Sequence, residues 1–143
     1  MVGGVEMPRD SARPSRPPGT HAIEVRMLGP LTIRRDGVAL DLPASRKVRG
    51  LFAYLAVAPH VVPRSQLCEL LWEVPNDPRG ELRWCLSKIR ALIDEPDLRR
   101  VDTQADTVRL DLAGCFVDAL EIARIAPDIA TIPSDRLREA AAP

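Results

Sequence analysis

The chain has 143 residues, 45% of them hydrophobic, which is room for one domain with tails and an ordinary globular fraction that excludes wholesale disorder. Lys and Arg total 20 against 20 Asp and Glu, so the chain is not a polycation that holds nucleic acid by bulk charge alone. Cys68, Cys85 and Cys115 form neither a disulfide framework nor a C-x-x-C metal site, and the longest apolar run, near Leu51 to Ala58, falls far short of the ~20 residues needed to span a bilayer.

Residues 1–21, rich in Pro, Arg, Ser and Gly, are expected to be a flexible tail. They have no apolar stretch of the kind a secretory signal needs, and a cytoplasmic, reducing setting is expected. Three strand-like runs follow, Ile23 to Leu28, Leu31 to Arg35 and Val38 to Leu42. In the first, Ile23, Val25 and Met27 alternate with Glu24 and Arg26, the period of a half-buried strand. Asp36-Gly37 is a hairpin signal, because both residues tolerate the positive φ of a type I′ turn. An antiparallel meander is therefore predicted to open the fold.

From Ser45 the period turns helical. Val48, Leu51, Phe52 and Leu55 recur at i, i+3, i+4 and i+7 behind a Ser N-cap, and Pro59 closes this first helix. Val61 and Val62 suit a short strand. Arg64 to Trp72 forms a second helix, with Leu67, Leu70 and Leu71 inward, Trp72 as a core plug and Pro75 as the stop. Asp77-Pro78 reads as an Asp N-cap followed by Pro at N1, and starts a third helix that runs to about Ile93, ahead of Asp94-Glu95-Pro96. Arg99 to Thr103 and Thr107 to Leu112 alternate around the polar tip Gln104-Ala105-Asp106 and read as a hairpin. Beyond Gly114 an acidic segment holds a helical stretch, Val117 to Ile125, and a second helix start at Ser134. An N-terminal antiparallel sheet, three helices and a C-terminal β-hairpin wing make an α+β winged helix-turn-helix. Its expected core contains Ile23, Val25, Leu31, Val48, Leu51, Phe52, Leu55, Leu67, Leu71, Leu82, Leu86, Ile89 and Val101.

The zero net charge hides an asymmetry. Residues 45–93 hold eight basic and four acidic side chains, a local +4, whereas residues 94–110 carry −2 and residues 111–143 carry −3. Much of the positive charge sits on the third helix. At 100° per residue, Leu82, Cys85, Leu86, Ile89, Leu92 and Ile93 share one side, and Arg79, Arg83, Ser87 and Arg90 lie together on the other with Trp84 and Lys88 beside them. A helix that buries one side and offers Arg on the other suits the DNA major groove, where Arg can donate two hydrogen bonds to guanine. Taken alone, such a helix also fits an ordinary amphipathic surface helix; the preceding helix and the following hairpin tip the balance to DNA. Trp84 has two readings, packing on the neighbouring wing, which is favoured, or contact with a sugar or base.

Met27-Leu28-Gly29-Pro30-Leu31, then Arg35-Asp36-Gly37 and Leu42-Pro43-Ala44-Ser45-Arg46-Lys47, resemble the opening of the Streptomyces antibiotic regulatory protein (SARP) family. Arg64-Ser65-Gln66-Leu67-Cys68-Glu69-Leu70-Leu71-Trp72 and Leu86-Ser87-Lys88-Ile89-Arg90-Ala91-Leu92 do so as well. The resemblance spans about residues 22–113 and implies an OmpR/PhoB-type winged-helix domain that binds double-stranded DNA and regulates transcription, with activation favoured. It makes the third helix, at about 78–93, the recognition helix. It also implies that the second helix and its connection cross the DNA backbone and approach RNA polymerase, and that copies bind side by side on direct repeats. Residues 114–143 are then a linker and the start of a truncated helical activation domain, which Ser134-Asp135-Arg136-Leu137-Arg138-Glu139-Ala140-Ala141 resembles. Pro63 departs from the family pattern by replacing a Ser or Thr N-cap. The wing tip also departs, with Asp106 and no basic residue, which leaves wing contacts to Arg99, Arg100 or Arg109. The candidate DNA contacts are Arg79, Arg83, Trp84, Ser87, Lys88, Arg90 and Arg109.

Other classes find less support. His21 and His60 have no nucleophile or acid at a meaningful spacing, and neither a Gly-rich phosphate loop nor a metal-ligand cluster is present. The chain is expected to be no enzyme and to need no cofactor, metal or membrane. A winged-helix protein-interaction module without DNA binding is the alternative, since fold does not fix function; such a module would more often show acidic or apolar residues at Arg79, Arg83 and Arg90.

Overall fold

The computed structural model describes residues 22–73 and 76–130, with side chains through Ala126. The 1–21 tail, Pro75 and the helix start at Ser134 lie outside the described residues. The alternating runs form β1 (Ile23–Arg26), β2 (Thr32–Arg35) and β3 (Val38–Ala39), paired antiparallel. Asp36 and Gly37 sit at φ 51° and 81°, as a type I′ turn requires. Ile23, Val25 and Ile33 point into the core, and each is buried.

Ser45 caps α1 (Arg46–Val57) by accepting a hydrogen bond from the Val48 amide, which satisfies one of the orphan donors of the first turn. Val48, Leu51, Phe52 and Leu55 are buried from this helix. A two-residue strand, β4 (Val62–Pro63), leads into α2 (Arg64–Leu71). Pro63 occupies the N-cap position, and no side chain caps there. Leu67 is buried, but Leu70 is 56% exposed and Leu71 only partly covered. This corrects the expected inward set. In a helix one residue step is 100°, so Leu71 lies about 40° from the buried Leu67 and Leu70 about 60° away on the other flank, toward solvent. Trp72 packs partly on the core with the Lys47 ammonium 5.7 Å from its ring centroid. Lys47 also donates to the Leu71 carbonyl, closing the C-terminus of α2 with a cation.

The third helix, α3 (Pro78–Ile93), packs against both α1 and α2 and buries Leu82, Cys85, Leu86, Ile89 and Ile93. The wing is β5 (Val101–Gln104) and β6 (Thr107–Leu110), joined at Ala105-Asp106. It pairs with β4 in a three-stranded sheet of order β4-β6-β5. Leu31 of the expected core is only partly buried, while Ile33, Val62, Val108, Leu110 and Val117 join it.

The segment after the wing differs most from expectation. Phe116–Val117 form β7, parallel to β1 with Val117 beside Val25, and extend the first sheet to the order β3-β2-β1-β7. The fold therefore reaches beyond residue 113, because β7 takes up the backbone groups of β1 that an open edge would leave unpaired. Asp118, the first residue of α4 (Asp118–Ala130), secures this junction. Its carboxylate accepts from the Met27, Leu28 and Ala119 amides at 2.8, 3.2 and 2.7 Å. Desolvation pushes its pKa up, but those three bonds and the nearby Arg26 outweigh it and hold the carboxyl below the ordinary aspartate value.

A group with a depressed folded pKa stabilises the fold above its unfolded pKa, and the increment is lost as pH falls through the folded value. Asp118→Ala is expected to lower stability by about 1 kcal/mol near pH 7, the order of the net contribution of an intramolecular hydrogen bond. The deficit should shrink below pH ~4 as the parent's own carboxylate protonates. Urea melts of both proteins across that range check it, and a deficit that persists unchanged at low pH would remove the ionised carboxylate from the explanation.

Candidate nucleic-acid interface

The local sequence fixes where α3 begins. The Asp77 side chain accepts from the Gly80 amide at 3.0 Å, and Pro78 occupies the first turn, where a missing N–H leaves no bond unmade. A Cβ on Gly80 would meet the Asp77 carboxylate as it stands, so a larger residue there would require that side chain to turn. At the other end, Arg35 of β2 donates to the Leu92 carbonyl at 3.2 Å, a cation on the negative end of the helix dipole. The helix is thus held at both ends.

With Leu82, Cys85, Leu86, Ile89 and Ile93 against the core, Arg79, Arg83, Trp84, Ser87 and Lys88 are exposed. The structure brings these five onto the solvent side of one helix. Trp84 is 48% exposed, with the Lys88 ammonium 5.4 Å from its ring centroid. This exposure goes against the favoured packing role, and because residues i and i+4 are neighbours on a helix surface the ring carries the Lys88 cation over it. Ser87 donates its hydroxyl proton to the Trp84 carbonyl at 2.6 Å, leaving the oxygen as an acceptor toward solvent.

Arg90 is only partly exposed and donates to the Thr103 hydroxyl at 2.9 Å. It links α3 to the wing, and a shallow concavity between them is lined by Arg90, Arg99 and Arg109 together with Asp102 and Asp111. Arg109 is exposed, 3.8 Å from Asp111 and opposite Asp102 in the wing ladder. Arg99 is exposed as well.

Arg100, a sequence candidate for wing contact, is 5% exposed. Its guanidinium lies 3.7 Å from Glu95 and donates to the Asp111 and Ala113 carbonyls, while Asp94 accepts from the Arg100 and Val101 amides. It braces the passage from α3 into β5, because a buried guanidinium is tolerated only where it is paired and hydrogen-bonded. Strand alternation counted back from Val101 would turn Arg99 inward; Arg100 is buried instead because it precedes β5 and is held by Glu95, Asp111 and Ala113.

Burial pushes the thiols of Cys68, Cys85 and Cys115 up from their ordinary value, the opposite of what an activated nucleophile needs. Among the described residues no group of three His, Cys, Asp or Glu side chains is placed to hold a metal ion, and no helix is long and apolar enough to cross a membrane.

The arrangement is a winged helix, and it is found in solved structures. The chain is similar to Mycobacterium tuberculosis EmbR, solved in complex with a low-affinity phosphopeptide, with a TM-score of 0.57 and 22% identity over 67% of this chain. It is also similar to the Thermotoga maritima response regulator DrrB, an OmpR/PhoB homologue, with a TM-score of 0.49 and 27% identity over 57% of this chain. The matches take in 27% of EmbR and 38% of DrrB, so the chain corresponds to a minor part of each. The likeness to EmbR shows a shared fold, the winged helix that the order of the elements predicts. No family model and no curated protein matches the chain.

Proposed function

We propose that this chain binds double-stranded DNA sequence-specifically by laying α3 in the major groove, and regulates transcription through that binding. The division of α3 carries the reading: Leu82, Leu86 and Ile89 are buried while Arg79, Arg83 and Lys88 stand exposed on a helix held at both ends. A rigid helix with a cationic outer side meets both needs of groove recognition, positioning on phosphates and donors for base edges.

Arg83 and Ser87, one turn apart, face outward at mid-helix and are assigned to base edges. Arg79, in the first turn, and Lys88 are assigned to phosphates, where a helix N-terminus and a mobile ammonium are favourable. Trp84 presents its ring edge to the sugars beside them. Arg90 acts through Thr103 to set the wing against α3, and Arg109 is the wing's own cation toward the backbone. The family resemblance adds two partners to this reading: a neighbouring copy on a direct repeat, and RNA polymerase at the connection between α2 and α3.

Selection of bound sequences from random duplexes, at recorded salt, tests the function. The expected result is an enriched motif, repeated at about one helical turn, ~10–11 bp, with affinity falling steeply as salt rises. A pool without an enriched motif, from a protein that heparin does not retain, would favour a protein-interaction module instead.

A further inference from the structure

The wing tip carries an acid where a DNA-facing hairpin would ordinarily carry a base, and the structure gives that acid a partner. Asp106 sits in the turn between β5 and β6, after Ala105 at φ 48°, a left-handed conformation that few residues other than glycine adopt freely. The Asp106 carbonyl accepts from the Arg64 amide at 2.6 Å, so the turn is tied to the start of α2. From there the Asp106 carboxylate reaches the Arg79 guanidinium at 3.9 Å, with side chains 80% and 70% exposed. Arg79 is the second residue of α3, in the turn whose free amides attract anions.

We propose that Asp106 is an internal substitute for a backbone phosphate, holding Arg79 so that this cation is withheld from non-cognate DNA. The inference rests on the DNA-binding function above and deepens it. Arg79 carries no base-reading role, so occupying it reduces sequence-independent affinity while leaving Arg83 and Ser87 untouched. Because specificity is a ratio between the preferred and all other sites, suppressing a phosphate contact that every duplex offers raises it. The pair is exposed and yields to a phosphate held in register by the cognate contacts; on a non-cognate duplex it stays closed.

Equilibrium binding of the full chain to its selected duplex and to a scrambled one, over a salt series, tests this with Asp106→Asn, Arg79→Ala and the double variant. Asp106→Asn is expected to bind the scrambled duplex about two- to five-fold tighter, in keeping with the strength of an exposed pair. Its salt slope there should steepen by nearly one unit, for one phosphate newly contacted. The selected duplex should gain less, so the specificity ratio falls, and in the Arg79→Ala background the gain should vanish. An Asp106→Asn protein with unchanged affinity, or a gain that survives intact without Arg79, overturns the inference alone, since the latter means simple repulsion of DNA by the acid. A parent that binds neither duplex overturns the DNA-binding function with it.

Discussion

Leu86→Ala is expected to unfold about 2–5 kcal/mol more easily than the parent, the range for deleting a buried leucine side chain and leaving a cavity behind. Leu86 is 1% exposed at the middle of α3, the helix that α1 and α2 both pack against. Little slack surrounds it, because Leu82, Cys85 and Ile89 of the same helix are buried around the same seam. Leu70→Ala is the control. Its side chain is largely exposed on α2, and a surface change of this kind is usually worth no more than ~0.5 kcal/mol. Chemical denaturation of the two variants reads the contrast. Equal losses would mean that α3 is rotated away from the orientation in which Leu86 faces the core, and the outward placement of Arg83 would go with it.

That orientation is legible in the sequence because two local signals agree on α3. The Asp77-Pro78 start fixes its first turn, and the 3.6-residue spacing of Leu82, Leu86 and Ile89 fixes its inward side. Ser45 does the same for α1, and Asp36-Gly37 for the hairpin of β2 and β3. What stays hidden depends on partners far along the chain. Phe116 and Val117 are too short a run to register as a strand; they become one by lying beside Glu24 and Val25, more than ninety residues earlier, as Asp118 lies beside Met27. Leu70 and Leu71 are adjacent leucines on an eight-residue helix, and only the positions of α3 and β4 decide which flank is covered. Arg100 and Trp84 show the complementary failure, since residue type suggests an exposed guanidinium and a packed indole. Tertiary contacts reverse the first, through the Glu95, Asp111 and Ala113 partners of Arg100, and the Lys88 cation over Trp84 marks the second. Within the candidate interface, the helix and its exposed residues are readable, and the commitment of Arg90 to Thr103 and of Arg79 to Asp106 is not.

Arg83→Ala is expected to cost about 1–3 kcal/mol on the selected duplex and to relax sequence preference at the bases it reads. Of the cations on α3, Arg79 is 3.9 Å from Asp106, Arg90 is bonded to Thr103 and Lys88 lies over the Trp84 ring. Arg83 is exposed at mid-helix, about two turns from the Arg90 tether and about 100° around the helix from the buried Leu82, where its guanidinium fork is open to the groove. Lys88→Ala provides the contrast. Losing a phosphate contact should weaken selected and scrambled duplexes alike and lower the salt slope by about one unit. Competition binding against both duplexes separates the two patterns. An Arg83→Ala protein that discriminates between them as well as the parent does would take base readout away from this residue.

Whether α3 reads the major groove is decided by methylation interference on the selected duplex. Methyl groups on guanine N7 lie in the major groove and those on adenine N3 in the minor, and the two grooves offer different atoms to a protein. Methylation of guanine N7 within each half-site is expected to block binding of the parent, and Arg83→Ala should lose part of that sensitivity. Interference confined to adenine N3, with guanine N7 methylation harmless throughout the bound site, would put the protein in the minor groove and α3 out of the role proposed for it.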